Sequence, residues 1–164
     1  MILENGVVRG PVLGLDAFPT PGHASHHVSY VSPEGDCFCG DAAGVRIAPA
    51  RYIAPVSPPP DIDVETWHVS LQTIAARRPR RLLLPHFGVV DDPDDHIARM
   101  RQRLDEWAAR VRCGMTLAEF EAAEDELADA GTSVREAFRQ AGPLWQSYAG
   151  LERYWVKKRE AAEP

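Results

Sequence analysis

A chain of 164 residues, 45% hydrophobic and 26% charged, is long enough to bury about two thirds of its unfolded surface, and its composition excludes wholesale disorder. The net charge of −6 and a pI near 5.5 argue against a nucleic-acid partner held by bulk electrostatics. No apolar run approaches the roughly 18 residues of a membrane span, the N-terminus lacks the basic-then-apolar layout of a signal peptide, and Cys37, Cys39 and Cys113 form no CxxC pair. One domain or part of one, cytoplasmic, with reduced thiols and neither disulfide framework nor zinc ribbon, is the expectation.

Twelve of the 14 prolines and eight of the 12 glycines fall in the first 93 residues, which predicts a loop-rich sheet region followed by helices. Extended pieces at Val7-Val8 and Val12-Leu13 flank a turn expected at Gly10-Pro11, and residues 15 to 18 alternate as a strand. Strand-like sequence begins at once after Met1, as though a sheet had been entered part-way through. His27 to Val31 alternates again, Pro33-Glu34-Gly35-Asp36 is a turn, and Cys37-Phe38-Cys39 should return as the second strand of a hairpin. Residues two apart on a strand share a face. Cys37, Cys39 and Asp41 would then point the same way.

Residues 44 to 60 offer a short strand at Val45 to Ala48 and an irregular piece closing at Pro58-Pro59-Pro60, which cannot be helix. Asp61 or Asp63 caps a helix whose apolar face is Val64, Trp67, Leu71, Ile74 and Ala75, with Arg77 and Arg78 near its end and Pro79 stopping it. Arg81 to Pro85 is a continuous apolar run that suits a strand buried on both faces, with His86 just past it. From Asp92, as cap, with Pro93 in the first helical position, Ile97, Met100, Leu104, Trp107 and Val111 form one stripe. Thr116 with Glu119 and Ser133 with Glu136 read as capping boxes of two more helices, with Phe120, Leu127, Phe138 and Ala141 as buried candidates. A last helix carries Leu144, Tyr148, Leu151 and Trp155, and residues 160 to 164 fray.

Three stretches carry chemistry. Thr20-Pro21-Gly22-His23, Gly40-Asp41-Ala42 and His86-Phe87-Gly88 each place an imidazole or a carboxylate directly after a strand, where functional residues collect. Imidazole with carboxylate is the donor mixture of a catalytic metal site rather than a thiolate-rich structural one.

Taken together and in this order, the three motifs resemble the later metal-binding motifs of the metallo-β-lactamase-fold hydrolase superfamily. Residues 61 to 88 and the closing Gly150-Leu151-Glu152-Arg153-Tyr154-Trp155 are similar to members described as metal-dependent hydrolases. The resemblance implies an α/β fold, the C-terminal half of an αββα sandwich followed by a helical C-terminal region. Residues 1–90 would supply the second-half sheet and helix with the metal motifs, residues 91–159 the helices packing on them, and residues 160–164 the tail.

It further implies two metal ions, zinc or alternatively iron or manganese. His23 would be a ligand of the first, Asp41 a bridging carboxylate with a catalytic role, and His86 a ligand of the second. His27 matches a histidine acting from the outer shell or the substrate side. A metal-bound hydroxide would attack an ester, thioester, lactone or phosphodiester of a small-molecule substrate.

The family's upstream motif, His-x-His-x-Asp-His, occurs nowhere among the six histidines at 23, 26, 27, 68, 86 and 96. A chain cut from a longer enzyme, or a short protein that lost half its site, are the two explanations. Weak metal binding and little turnover by the chain alone follow, with a non-catalytic remnant or interaction module as the alternative function.

Other groups have blander readings. Cys39 is core packing, His26 faces solvent, and His68 and His96 are surface histidines. The Arg77-Arg78-Pro79-Arg80-Arg81 cluster is a solvated helix end rather than a nucleic-acid patch. The aromatic stripe of Trp107, Trp145, Tyr148, Tyr154 and Trp155 is helix-packing material, and any part left uncovered predicts aggregation or homodimerisation.

Overall fold

The computed structural model describes residues 2–4, 7–12, 14–86, 88–124 and 131–162. Among the described residues seven strands form one sheet in which spatial order follows chain order: β1 (Ile2–Glu4), β2 (Val7–Val12), β3 (Leu15–Pro19), β4 (Val28–Val31), β5 (Asp36–Phe38), β6 (Arg81–Leu84) and β7 (Gly88–Val90). Every neighbouring pair is antiparallel except β5 and β6, which run parallel and are joined by a long crossover. The turn expected at Gly10-Pro11 lies instead inside β2, where Gly10 pairs with Ala17 and Pro11 with Asp16. Pairing with β1 stops at Arg9, so Pro11 has a neighbour on one side only, a place where a missing N–H is tolerated. The chain reverses at Gly14, whose φ of 81° suits glycine.

The crossover holds a 3-10 turn, Gly40–Ala43, an irregular segment, and α1 (Val64–Ala76). Asp63 is the cap of α1, its side chain accepting from the Thr66 N–H at 2.8 Å. The strand expected at 45–48 reduces to one bridge between Val45 and Ala54. Four more helices follow: α2 (Pro93–Arg112), α3 (Leu117–Ala122), α4 (Thr132–Ala141) and α5 (Leu144–Ala162). Thr116 and Glu119 form their capping box, whereas α4 starts one residue before Ser133 and uses Gly131 without a side-chain cap. Leu127 lies outside the described residues. Helix α5 stays helical through residues 160 to 162, past the expected fraying point.

The two faces of the sheet differ. Val31, Cys37, Leu82 and Val90 form one row across β4 to β7, and the last three are buried in one cluster with Trp67, Leu71 and Ile74 of α1 and with Met100, Leu104 and Trp107 of α2. The opposite row is Tyr30, Phe38, Leu83 and Val89, in which Phe38 is 43% and Val89 59% exposed. Strand β6 is therefore buried on one face and not on both: Leu82 and Leu84 are covered, while Leu83 belongs to the open row. The helices cover one face of the sheet.

Beneath the helices, Glu124 is 4% exposed and accepts from Tyr52, Arg103, Trp107 and Arg110. A buried carboxylate is sustained by that density of donors. Cys37 and Cys39 are both fully buried, and all three cysteines are free. Among the described residues no helix is long and apolar enough to cross a membrane.

Candidate functional site

Gly22 and His23 follow β3 in a loop that closes back on itself, with the Thr20 N–H donating to the His27 carbonyl at 2.9 Å. This loop rests on α1. The Asp63 N–H donates to the Gly22 carbonyl at 2.9 Å, the Ser70 hydroxyl donates to the Pro21 carbonyl, and Gly22, at φ 128°, sits so close to Trp67 that a Cβ there would overlap its backbone. Only glycine meets both conditions.

The ring of His23 is turned by two contacts. Its Nδ1 lies 2.7 Å from the Val56 carbonyl, which fixes the proton on Nδ1 and leaves Nε2 as a bare acceptor, and its edge meets the Trp67 indole with ring centroids 5.5 Å apart. Val56 is in turn set by α5. The Ser57 N–H donates to the Ser147 hydroxyl at 3.1 Å, and a Cβ on Gly150 would overlap the Ser57 carbonyl.

Asp41 rides on the 3-10 turn, since β5 stops at Phe38 and does not persist to carry Cys37, Cys39 and Asp41 in one strand register. His23 Nε2 is 3.7 Å from Asp41 Oδ2, and His86 Nε2 is 3.4 Å from Asp41 Oδ1. The carboxylate thus lies between two imidazole nitrogens, with His86 at the β6–β7 turn and a third exposed. The motif residue after it, Phe87, lies outside the described residues.

His27 stands beside this group. Its Nδ1 is 2.8 Å from the Thr20 hydroxyl, its ring is edge-on to His23 at 6.0 Å, and its Nε2 occupies the space a Cβ on Gly40 would need. Burial and then the neighbouring His23 hold its pKa below the ordinary histidine value. His26 is exposed, as expected.

Asp41 shows what the donor set lacks. Its Oδ1 is closed off from solvent and has no hydrogen-bond partner, an arrangement that costs free energy unless a cation or donor completes it. Two imidazole Nε2 atoms turned to one carboxylate, with the far nitrogen of His23 on a backbone carbonyl, is how a divalent ion's ligands are commonly oriented. Among the described residues no group of three or more His, Cys, Asp or Glu side chains is arranged to hold a metal ion.

His96 corrects the sequence reading. It is fully buried, with Nε2 2.8 Å from the Ala43 carbonyl, and burial lowers its pKa. The spacing 96, 100, 104 along the α2 stripe carried that signal. His68 is nearer the surface, its Nε2 2.7 Å from Asp105. The basic cluster is largely neutralised in place: Arg77 pairs with Asp16 and covers the Phe18 ring, and Arg80 and Arg81 pair with Asp36.

A metallo-β-lactamase family protein from Thermus thermophilus superposes with a TM-score of 0.56 at 19% identity, over 90% of this chain and 44% of its own. An archaeal metallo-β-lactamase superfamily protein from Sulfolobus tokodaii gives 0.54 at 25%, over 84% of this chain and 45% of its own. The fold is part of the metallo-β-lactamase fold. This metallo-β-lactamase-type chain spans less than half the length of those two structures, in agreement with a single sheet covered by helices on one face. No protein-family model matches the sequence, and no curated protein matches it.

Proposed function

We propose that the chain is the metal-binding C-terminal part of a metal-dependent hydrolase acting on an ester, thioester, lactone or phosphodiester in a small-molecule substrate. The observation that carries this reading is Asp41, whose solvent-shielded Oδ1 makes no hydrogen bond and lies 3.4 Å from His86 Nε2, while Oδ2 lies 3.7 Å from His23 Nε2. His23, Asp41 and His86 would hold the metal, zinc by donor chemistry with iron or manganese as alternatives. Bound there, the metal would polarise the scissile group and lower the pKa of water.

The chain's own residues do the rest. The Val56 carbonyl keeps the His23 proton on Nδ1, so Nε2 stays available. His27, wedged against Gly40 and bonded to Thr20, is poised on the substrate side, and its lowered pKa keeps it a neutral acceptor near pH 7. A reducing, cytoplasmic location belongs to the same proposal and is supported by three free cysteines. The local pairing of Arg77, Arg80 and Arg81 supports the expectation that nucleic acid is not the partner.

The test is hydrolysis of those four substrate classes by the zinc-loaded chain. Slow turnover, abolished by a chelator and by Asp41→Ala, is expected, because three ligands are too few for two ions. Turnover indifferent to both would contradict the reading. The open row with Phe38 and Val89 favours a second reading, an interaction module without turnover whose simplest form is a homodimer. A chain that stays monomeric in sedimentation at every concentration would contradict that form.

A further inference from the structure

The turn that carries Asp41 is four residues long, and a 3-10 turn of that size has little of its own to hold it. Two buried rings from different helices grip it. Trp67 Nε1–H on α1 donates to the Ala42 carbonyl at 2.7 Å, and His96 on α2 reaches the Ala43 carbonyl at 2.8 Å, which requires its proton on Nε2. The Asp41 carbonyl accepts from the Gly44 N–H at 2.9 Å. Three consecutive carbonyls of the turn therefore end on fixed donors.

Both rings are fully buried, and the cost of His96 is visible: its Nδ1 is closed off from solvent without a partner. A residue needed only for volume would be Leu or Met at this point of the stripe, with nothing left unpaired. Trp67 has a second hold on the site, since its backbone excludes any side chain at Gly22 and its ring meets His23 edge-on.

We propose that Trp67 and His96 are positioning residues, clamping the Gly40–Ala43 turn so that the Asp41 carboxylate is held between His23 and His86. The inference rests on reading Asp41 as a metal ligand. It assigns the helical layer a function beyond covering the sheet: α1 and α2 set the angle of the carboxylate through one ring nitrogen each.

Four variants of the full chain test it, His96→Leu, His96→Gln, Trp67→Phe and, as a core control at the far end of α2, Val111→Ala. The readouts are Gly44 amide exchange in the metal-free chain and zinc affinity by calorimetric titration. His96→Leu and Trp67→Phe should speed Gly44 exchange about tenfold, the equivalent of one lost hydrogen bond, and weaken zinc binding about 10- to 100-fold. His96→Gln keeps an N–H donor and should recover both, and Val111→Ala should change neither.

Gly44 exchange unaltered in His96→Leu and Trp67→Phe, or faster exchange with parental zinc affinity, overturns the clamp. If His96→Leu does not fold, Trp67→Phe decides by the same readouts, since it keeps a ring and loses only the donor. Zinc bound equally by the parent and Asp41→Ala contradicts the metal reading instead, and that result is independent of the exchange data.

Discussion

His23 and Asp41 are held from behind by helices, and His86 is not. The first stands on a loop pressed against Trp67 and is turned by a carbonyl that α5 fixes; the second stands on a turn bonded to α1 and α2. His86 sits at a strand end, a third exposed, and among the described residues faces Asp41 Oδ1 at 3.4 Å. The difference shows how this fold divides its work. The sheet brings the three side chains to one edge, and the helices decide how rigidly each is aimed.

The largest effect should come where a close approach and a left-handed backbone coincide. Gly22→Ala forces a Cβ into Trp67 at a positive φ and should cost about 3 kcal/mol or more in urea unfolding. Gly150→Ala pushes α5 off the Ser57 carbonyl and through it disturbs Val56 and His23; about 2 kcal/mol is expected. Both variants should weaken zinc binding although neither residue is a ligand.

A pH series sharpens the same contrast. His96 is buried neutral, its pKa lowered by burial first, with Arg46 and Arg99 adding to the shift and the Ala43 bond and Asp92 opposing it. A histidine protonated more readily in the unfolded chain gives stability that is fully present above the unfolded value of about 6.5 and is lost as pH falls below it. Urea unfolding at pH 7.5, 6.5 and 5.5 should show that acid-side loss, and His96→Gln should reduce it. The smallest effect is expected at the loosely supported His86, which we propose as a ligand: His86→Ala should change stability by no more than about 0.5 kcal/mol, while still lowering zinc affinity.

Much of this was legible in the residues. The α1 and α2 stripes and the Thr116 capping box follow from spacing and cap chemistry, which are local properties; the three motif positions were marked by their places just after strands and by the family resemblance. Four features were not. Pro11 inside β2 depended on how far β1 extends alongside it, and the one-sided burial of β6 depended on which face the helices take; both are properties of neighbours in space. His96 was misjudged because a polar residue in a first turn ordinarily faces water, although its place on the stripe with Met100 and Leu104 pointed inward. The grip of Trp67 and His96 on the Asp41 turn could not be read from spacing, because it joins residues 25 and 53 positions apart.

The central claim is that Asp41 joins His23 and His86 into half of a metal site. Calorimetric zinc titration of the chain and of Asp41→Ala tests it most directly. At most one equivalent, bound weakly by the parent and lost in the variant, is the predicted result; equal binding by the two, or two tightly held equivalents in the parent, would contradict it.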